Sequence, residues 1–144
     1  MARIDMRKTH RLGMAAVLGL EGYSRTHLPK RLYELVKLRA SHLNQCHYCI
    51  NMHTTALSKD GETPERMAAV ATGTLPHPLF DDRENAALIL TDHLTRIDPA
   101  TGISDDVWAQ TARHFDETQL GNLVLGIATI NVFNRVSIAT RLEA

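Results

Sequence analysis

The chain has 144 residues, with 16 Lys+Arg balanced by 16 Asp+Glu, two cysteines and eight histidines. That length is one ordinary domain, long enough to bury a core without disulfides or a metal, and the expectation is a single domain over residues 1–144. Neutral charge with no basic run excludes the electrostatic footprint of a nucleic-acid or anionic-membrane binder.

No window approaches the roughly 18 apolar residues of a spanning helix. The segment from Met1 to Lys8 carries charges with no apolar stretch behind them. The expected protein is therefore soluble and cytoplasmic. There, reductants keep neighbouring thiols reduced at rest, and a disulfide is transient and catalytic rather than structural.

Helical periodicity dominates the chain, period-two alternation is hard to find, and the expected fold is all-α. From Pro29 to about Asn44, Leu32, Leu35, Val36, Leu38 and Leu43 recur at spacings near three and four. Lys30, Arg31, Lys37 and Arg39 take other positions on this amphipathic helix, which carries Glu34. A second helix is expected from about Cys46 to Ser58, closed by Lys59-Asp60-Gly61, where glycine suits the left-handed C-terminal position. Thr63-Pro64 opens a short connector helix ending near Gly73. Asp81 and Glu84 form a capping box for a helix that buries Ala86, Ala87, Leu90, Leu94 and Ile97 and stops before Asp98-Pro99. Ser104 caps another helix, through about His114. The last, roughly Glu117 to Arg141, is apolar on more of its circumference than one solvated face needs, which suits a central or subunit-interface position.

The chemistry concentrates at Cys46-His47-Tyr48-Cys49-Ile50-Asn51-Met52-His53. Two cysteines in all exclude a four-thiolate zinc site, and C-x-x-C is a recognised redox spacing. Cys49 and His53, at i and i+4 on one helix, share a face, so the imidazole has a route to the thiol proton. Cys46, at the first turn, meets the positive end of the helix dipole and free backbone N–H groups, which favour a thiolate. A thiolate attacking a peroxide gives a sulfenic acid, and a second thiol this near condenses with it to a disulfide. Two other readings stay open: cysteines that simply pack in the core, and a zinc module or redox sensor with Cys46, Cys49, His53 and Glu34 as donors. His42, eight residues after Glu34 on the same helix, is a candidate pocket residue. Asn131, Asn134 and Arg135 suit a buried polar network in the last helix or pairing across an interface, and Trp108 suits a core or interface anchor.

The segment from Glu34 to His53 resembles the core motif of the AhpD-like alkylhydroperoxidases, within the carboxymuconolactone decarboxylase superfamily. That motif has a glutamate twelve residues before the first cysteine, then C-x-x-C, then a histidine four further on, and Glu34, Cys46, Cys49 and His53 fill those places. The segment from Ile127 to Arg135 resembles the family's C-terminal helix, so the likeness covers roughly residues 10 to 142. It implies an all-helical bundle and a peroxidase reducing hydrogen peroxide or organic hydroperoxides. Cys49 would attack, Cys46 resolve, and Glu34 and His53 relay the proton. The implied cycle calls for no cofactor and no metal, but it needs a dithiol reductant, either thioredoxin-like or a lipoyl protein, to reopen the disulfide. Family members associate through their helices, so a homo-oligomer is implied. One position departs from the pattern. The best-known members have a histidine immediately before the nucleophile, where this chain has Tyr48 and carries His47 one place earlier, a shift of about 100° around a helix. The superfamily's decarboxylase branch, which does not rely on a C-x-x-C pair, is the alternative within enzymes.

Overall fold

A computed structural model describes residues 1–143, which form eight helices and no strand: α1 (Met6–Thr9), α2 (Arg11–His27), α3 (Lys30–Leu43), α4 (His47–Lys59), α5 (Pro64–Thr72), α6 (Asp82–Thr95), α7 (Asp105–Ala112) and α8 (Glu117–Thr140). The six helices expected from the sequence are present, with ends within about two residues of those read from it. Their punctuation is local chemistry. Thr63, Asp81 and Ser104 accept backbone N–H bonds at the helix starts, and the Asp81–Glu84 capping box closes from both sides. Gly61 takes φ 82° after α4.

α3 is the hub. It packs against α4, α5, α6 and α8, and two apolar clusters meet on it. Leu32, Tyr33 and Val36 join Ala87, Leu90, Leu123 and Ile127 on one side. Leu35 and Leu38 join Leu57, Val70, Phe80 and Leu88 on the other. Each fully buried aliphatic side chain contributes about 1.5–3 kcal/mol of transfer free energy, so α3 is fixed before any polar contact is counted.

Several sequence expectations need correcting. α1 and α2 precede the first helix read from the periodicity. α2 has 17 residues but buries only Ser24, so it has no core-facing stripe to read. Lys37 and Arg39, assigned to the polar side of α3, are buried, at 4% and 8% exposure, because Lys37 meets Glu34 on its own helix and Glu21 on α2, and Arg39 meets Asp92 on α6. Ile97 is exposed because α6 ends at Thr95, and Trp108 is also exposed, so it anchors no core of this chain. α8 is long and apolar enough to cross a membrane by length and composition, contrary to the sequence reading. In this fold it packs on α2, α3 and α6 and buries Asn122, Thr129, Asn134 and Ser137.

Candidate active site

The turn between α3 and α4 sets the site. The N–H of Gln45 bonds to the carbonyl of His42 and that of Cys46 to the carbonyl of Ser41, the paired bonds of a Schellman ending. Gln45 occupies the left-handed position at φ 55°, where glycine is the usual occupant, so the turn holds conformational strain on the order of 1 kcal/mol. Asn44 ties it to α8: its Nδ2 donates to Asn131 Oδ1 at 2.9 Å and to Asn134 Oδ1 at 3.0 Å, while Asn134 donates to Ser41 Oγ at 3.1 Å. Asn131 also donates to Thr95 and accepts from Arg135. The polar residues of α8 therefore form the expected network in part, with Asn134 buried, Asn131 half-buried and Arg135 exposed, and its effect is to clamp the turn that delivers Cys46.

Cys46 is the N-cap of α4 and Cys49 stands in its first turn. The two are joined as a disulfide, with Cα atoms 5.3 Å apart, and are 2% and 1% exposed. One turn on, buried His53 places Nδ1 3.0 Å from Glu34 Oε2. A carboxylate only accepts, so Nδ1 carries the hydrogen. In its neutral form the ring presents a bare lone pair at Nε2. That nitrogen is buried and has no hydrogen-bond partner among the described residues. A buried base with nothing to accept from is the feature that a thiol proton would fill.

Glu34 is held by more than His53. Lys37 Nζ lies 2.7 Å from Glu34 Oε1 and 3.1 Å from Glu21 Oε1, and the Tyr33 hydroxyl donates to Glu21 Oε2 at 2.5 Å. The ammonium also stands 4.2 Å over the Tyr33 ring. Burial by itself would raise the Glu34 carboxyl, but hydrogen bonds from His53 and Lys37 and the Lys37 charge bring it down to about 2, so it is ionised throughout the physiological range. Burial, then the hydrogen bond to Glu21, raises the Tyr33 phenol, which stays protonated.

A groove of about 210 Å³ between the start of α4 and the end of α8 reaches Cys46. His47, Tyr48, Ile138 and Arg141 help line it. His47 is exposed and Tyr48 half-buried, so the two candidate pocket residues flank the approach to the disulfide. His42 does not line this groove. It is half-buried at the end of α3, where burial and the Arg39 charge lower its pKa. A larger pocket of about 350 Å³, lined in part by His27, Arg83 and Phe115, contains neither cysteine.

The structure thus joins Cys46 to Cys49 at the start of α4 and His53 to half-buried Glu34 one turn further on, with Tyr48 and His47 lining the groove that reaches Cys46. Among the described residues no group of three or more His, Cys, Asp or Glu side chains is disposed to hold a metal ion. Sequence reasoning missed Lys37, Glu21 and Tyr33. Lys37 left a trace, since it stands three residues after Glu34, a spacing at which side chains meet on a helix. Glu21 left none, because its helix shows no pattern of its own.

An all-helical bundle in which a C-x-x-C disulfide opens a helix beside a glutamate–histidine pair defines an AhpD-like protein. The chain belongs to the carboxymuconolactone decarboxylase family, whose sequence profile matches residues 12–93. It is 36% identical over 128 residues to the protein YdfG of Bacillus subtilis, covering 88% of this chain and 86% of YdfG. Its fold matches, with a TM-score of 0.91 and 28% identity, a crystal structure from Agrobacterium tumefaciens described as a protein of unknown function assigned to AhpD antioxidant defence, over 99% of this chain and 97% of that one. A peroxidase-related protein from Silicibacter sp. TM1040 shares the fold at a TM-score of 0.75 and 21% identity, over 90% of this chain and 68% of that one. Family and Agrobacterium relative point to an enzymatic, antioxidant-related role.

Proposed function

We propose that this protein is a thiol peroxidase that reduces hydrogen peroxide or an organic hydroperoxide through a Cys46–Cys49 disulfide cycle. The observation that carries the reading is the disulfide at the start of α4, one helical turn before a buried His53 whose Nδ1 is fixed by Glu34 and whose Nε2 lacks a partner among the described residues. In the reduced protein His53 takes the Cys49 proton. The thiolate attacks one peroxide oxygen, the O–O bond breaks, the alcohol or water departs with a proton, and Cys49 is left as a sulfenic acid. The Cys46 thiol then displaces water from it to form the disulfide. A dithiol reductant, thioredoxin-like or a lipoyl protein, restores both thiols and becomes a disulfide itself. Cys46 lines the groove and Cys49 does not, so the reductant attacks the Cys46 sulfur and Cys49 leaves next to His53.

The superfamily's decarboxylases do not rely on such a pair, and the paired cysteines favour the redox reading. We further propose a cytoplasmic homo-oligomer built on the exposed apolar residues of α2 and α8, among them Leu12, Leu18, Leu125 and Val132. A monomer mass by light scattering at micromolar concentration would contradict that assembly.

Replacing each cysteine tests the cycle. Cys49→Ser is expected to lower peroxide consumption at least about 100-fold, and Cys46→Ser to leave one turnover that stops at a sulfenic acid trapped by dimedone. Full activity in Cys49→Ser would overturn the assignment of the nucleophile.

A further inference from the structure

The cycle uses Glu34 and His53 but leaves a buried lysine and a second, half-buried carboxylate unexplained. Lys37 is 4% exposed, yet it is not neutralised by a single partner: its ammonium lies between Glu34 on its own helix and Glu21 on α2. Isolated burial of an ammonium is costly, and two carboxylate partners with a ring beneath offset that cost. The arrangement has a direction. Lys37 takes Glu34 Oε1, which leaves Oε2 for His53. Glu21 takes a second N–H of Lys37 and is itself fixed by the Tyr33 hydroxyl. The chain therefore runs Tyr33–Glu21–Lys37–Glu34–His53. It is also the way α2, which buries only Ser24, reaches the site.

We propose that Lys37 and Glu21 are positioning residues of the peroxidase: Glu21 sets Lys37, Lys37 sets the rotamer and ionised state of Glu34, and the seating of α2 thereby sets how well His53 accepts the Cys49 proton. Resting as it does on Glu34 and His53 acting as the relay, this inference extends the peroxidase reading to residues that touch neither thiol nor peroxide. The groups facing Glu34 are His53 from α4 and Lys37 from α3, with Glu21 from α2 behind Lys37. Losing Lys37 removes one of the two hydrogen bonds that oppose the effect of burial on the Glu34 carboxyl. The acid limb of any reaction of the Cys49 thiolate then moves to higher pH.

The test is the rate of iodoacetamide alkylation of Cys49 against pH, in reduced full-length protein carrying Cys46→Ser, with no peroxide present. Lys37→Met is expected to slow alkylation at neutral pH about tenfold and to move the acid limb up by about one pH unit. Lys37→Arg should recover the rate to within about threefold, because a cation that still bonds Glu34 is retained. Glu21→Gln keeps the side-chain volume and should fold even where Lys37→Met does not. It loosens Lys37 while removing an anion, so it is expected to slow alkylation about threefold without the upward displacement of the limb that Lys37→Met gives. An unchanged profile in folded Glu21→Gln, or no recovery by Lys37→Arg, overturns the proposal. Alkylation without peroxide also separates two failures: an intact wild-type profile in a protein that does not turn over peroxide sinks the peroxidase reading and leaves this one standing.

Discussion

Lys37 and Arg39 stand two residues apart on the same buried helix, about 200° around it, and their surroundings could hardly differ more. Arg39 faces α5 and α6. Its guanidinium takes both oxygens of Asp92, at 2.7 and 2.8 Å, and donates to the carbonyls of Val70 and Gly73. Four bonds from a planar fork tie α3 to the end of α5 and to α6. Lys37 faces the cysteine site and shares a compact charge between Glu21 and Glu34. One buried cation fastens the scaffold and the other tunes the site. Burial of a charge therefore says only that partners exist, and the partners say what it is for.

The largest expected effect tests the scaffold side. Arg39→Met strands the Asp92 carboxylate beside α3, and the urea midpoint should fall by the equivalent of about 3 kcal/mol, while the alkylation rate of Cys49 in the folded fraction stays within about twofold of the wild type. A tenfold loss of that rate at intact fold would erase the distinction between the two cations. Next comes the clamp between the halves. Asn134→Ala removes bonds to Asn44 and Ser41 at a fully buried position, for a cost of about 2 kcal/mol. Because the clamp holds the turn before Cys46, thermal melts of this variant should show the loss together with faster reduction of the disulfide by dithiothreitol.

Acid titration sharpens the site side. The hydrogen bonds from His53 and Lys37 hold the Glu34 carboxyl down to about 2 in the fold, against about 4.5 for an ordinary glutamate. Its ionised contacts therefore stabilise the fold fully above about pH 4.5, and that stability is lost as pH falls through about 2. Urea midpoints taken from pH 7 down to 2 should fall less steeply over that window in Glu34→Gln than in wild type. Parallel curves would mean that Glu34 is not held as described. The smallest effect belongs to a position remote from both cations. Asp81→Ala opens the capping box of α6 and should lower stability by about 1 kcal/mol with no change in alkylation.

Most of the scaffold was legible because its signals are local. Thr63-Pro64, Asp81 with Glu84, Ser104 and Gly61 each act within a few residues, and the helices they bound bury periodic apolar faces. α2 was illegible for a physical reason: it contains Gly13, Gly19 and Gly22, its N-cap His10 makes no capping bond, and its apolar residues point largely to solvent. The four candidate site residues were named from spacing and from a family likeness, since three of them share one stretch of chain and Glu34 sits one helix before. The support behind them was not. Glu21 lies 16 residues before Lys37 and Asp92 lies 53 after Arg39, and nothing in a helical wheel says that a cation will find a carboxylate at such a distance.

Cys46 and Cys49 acting as one redox unit is tested by intact mass with free-thiol titration, before and after one equivalent of organic hydroperoxide is added to the fully reduced protein. The expected result is a rapid loss of about 2 Da with both thiols consumed, as a sulfenic acid condenses to the disulfide. Two thiols still titratable and an unchanged mass would contradict it, and would leave the pair as packing residues beside an idle histidine.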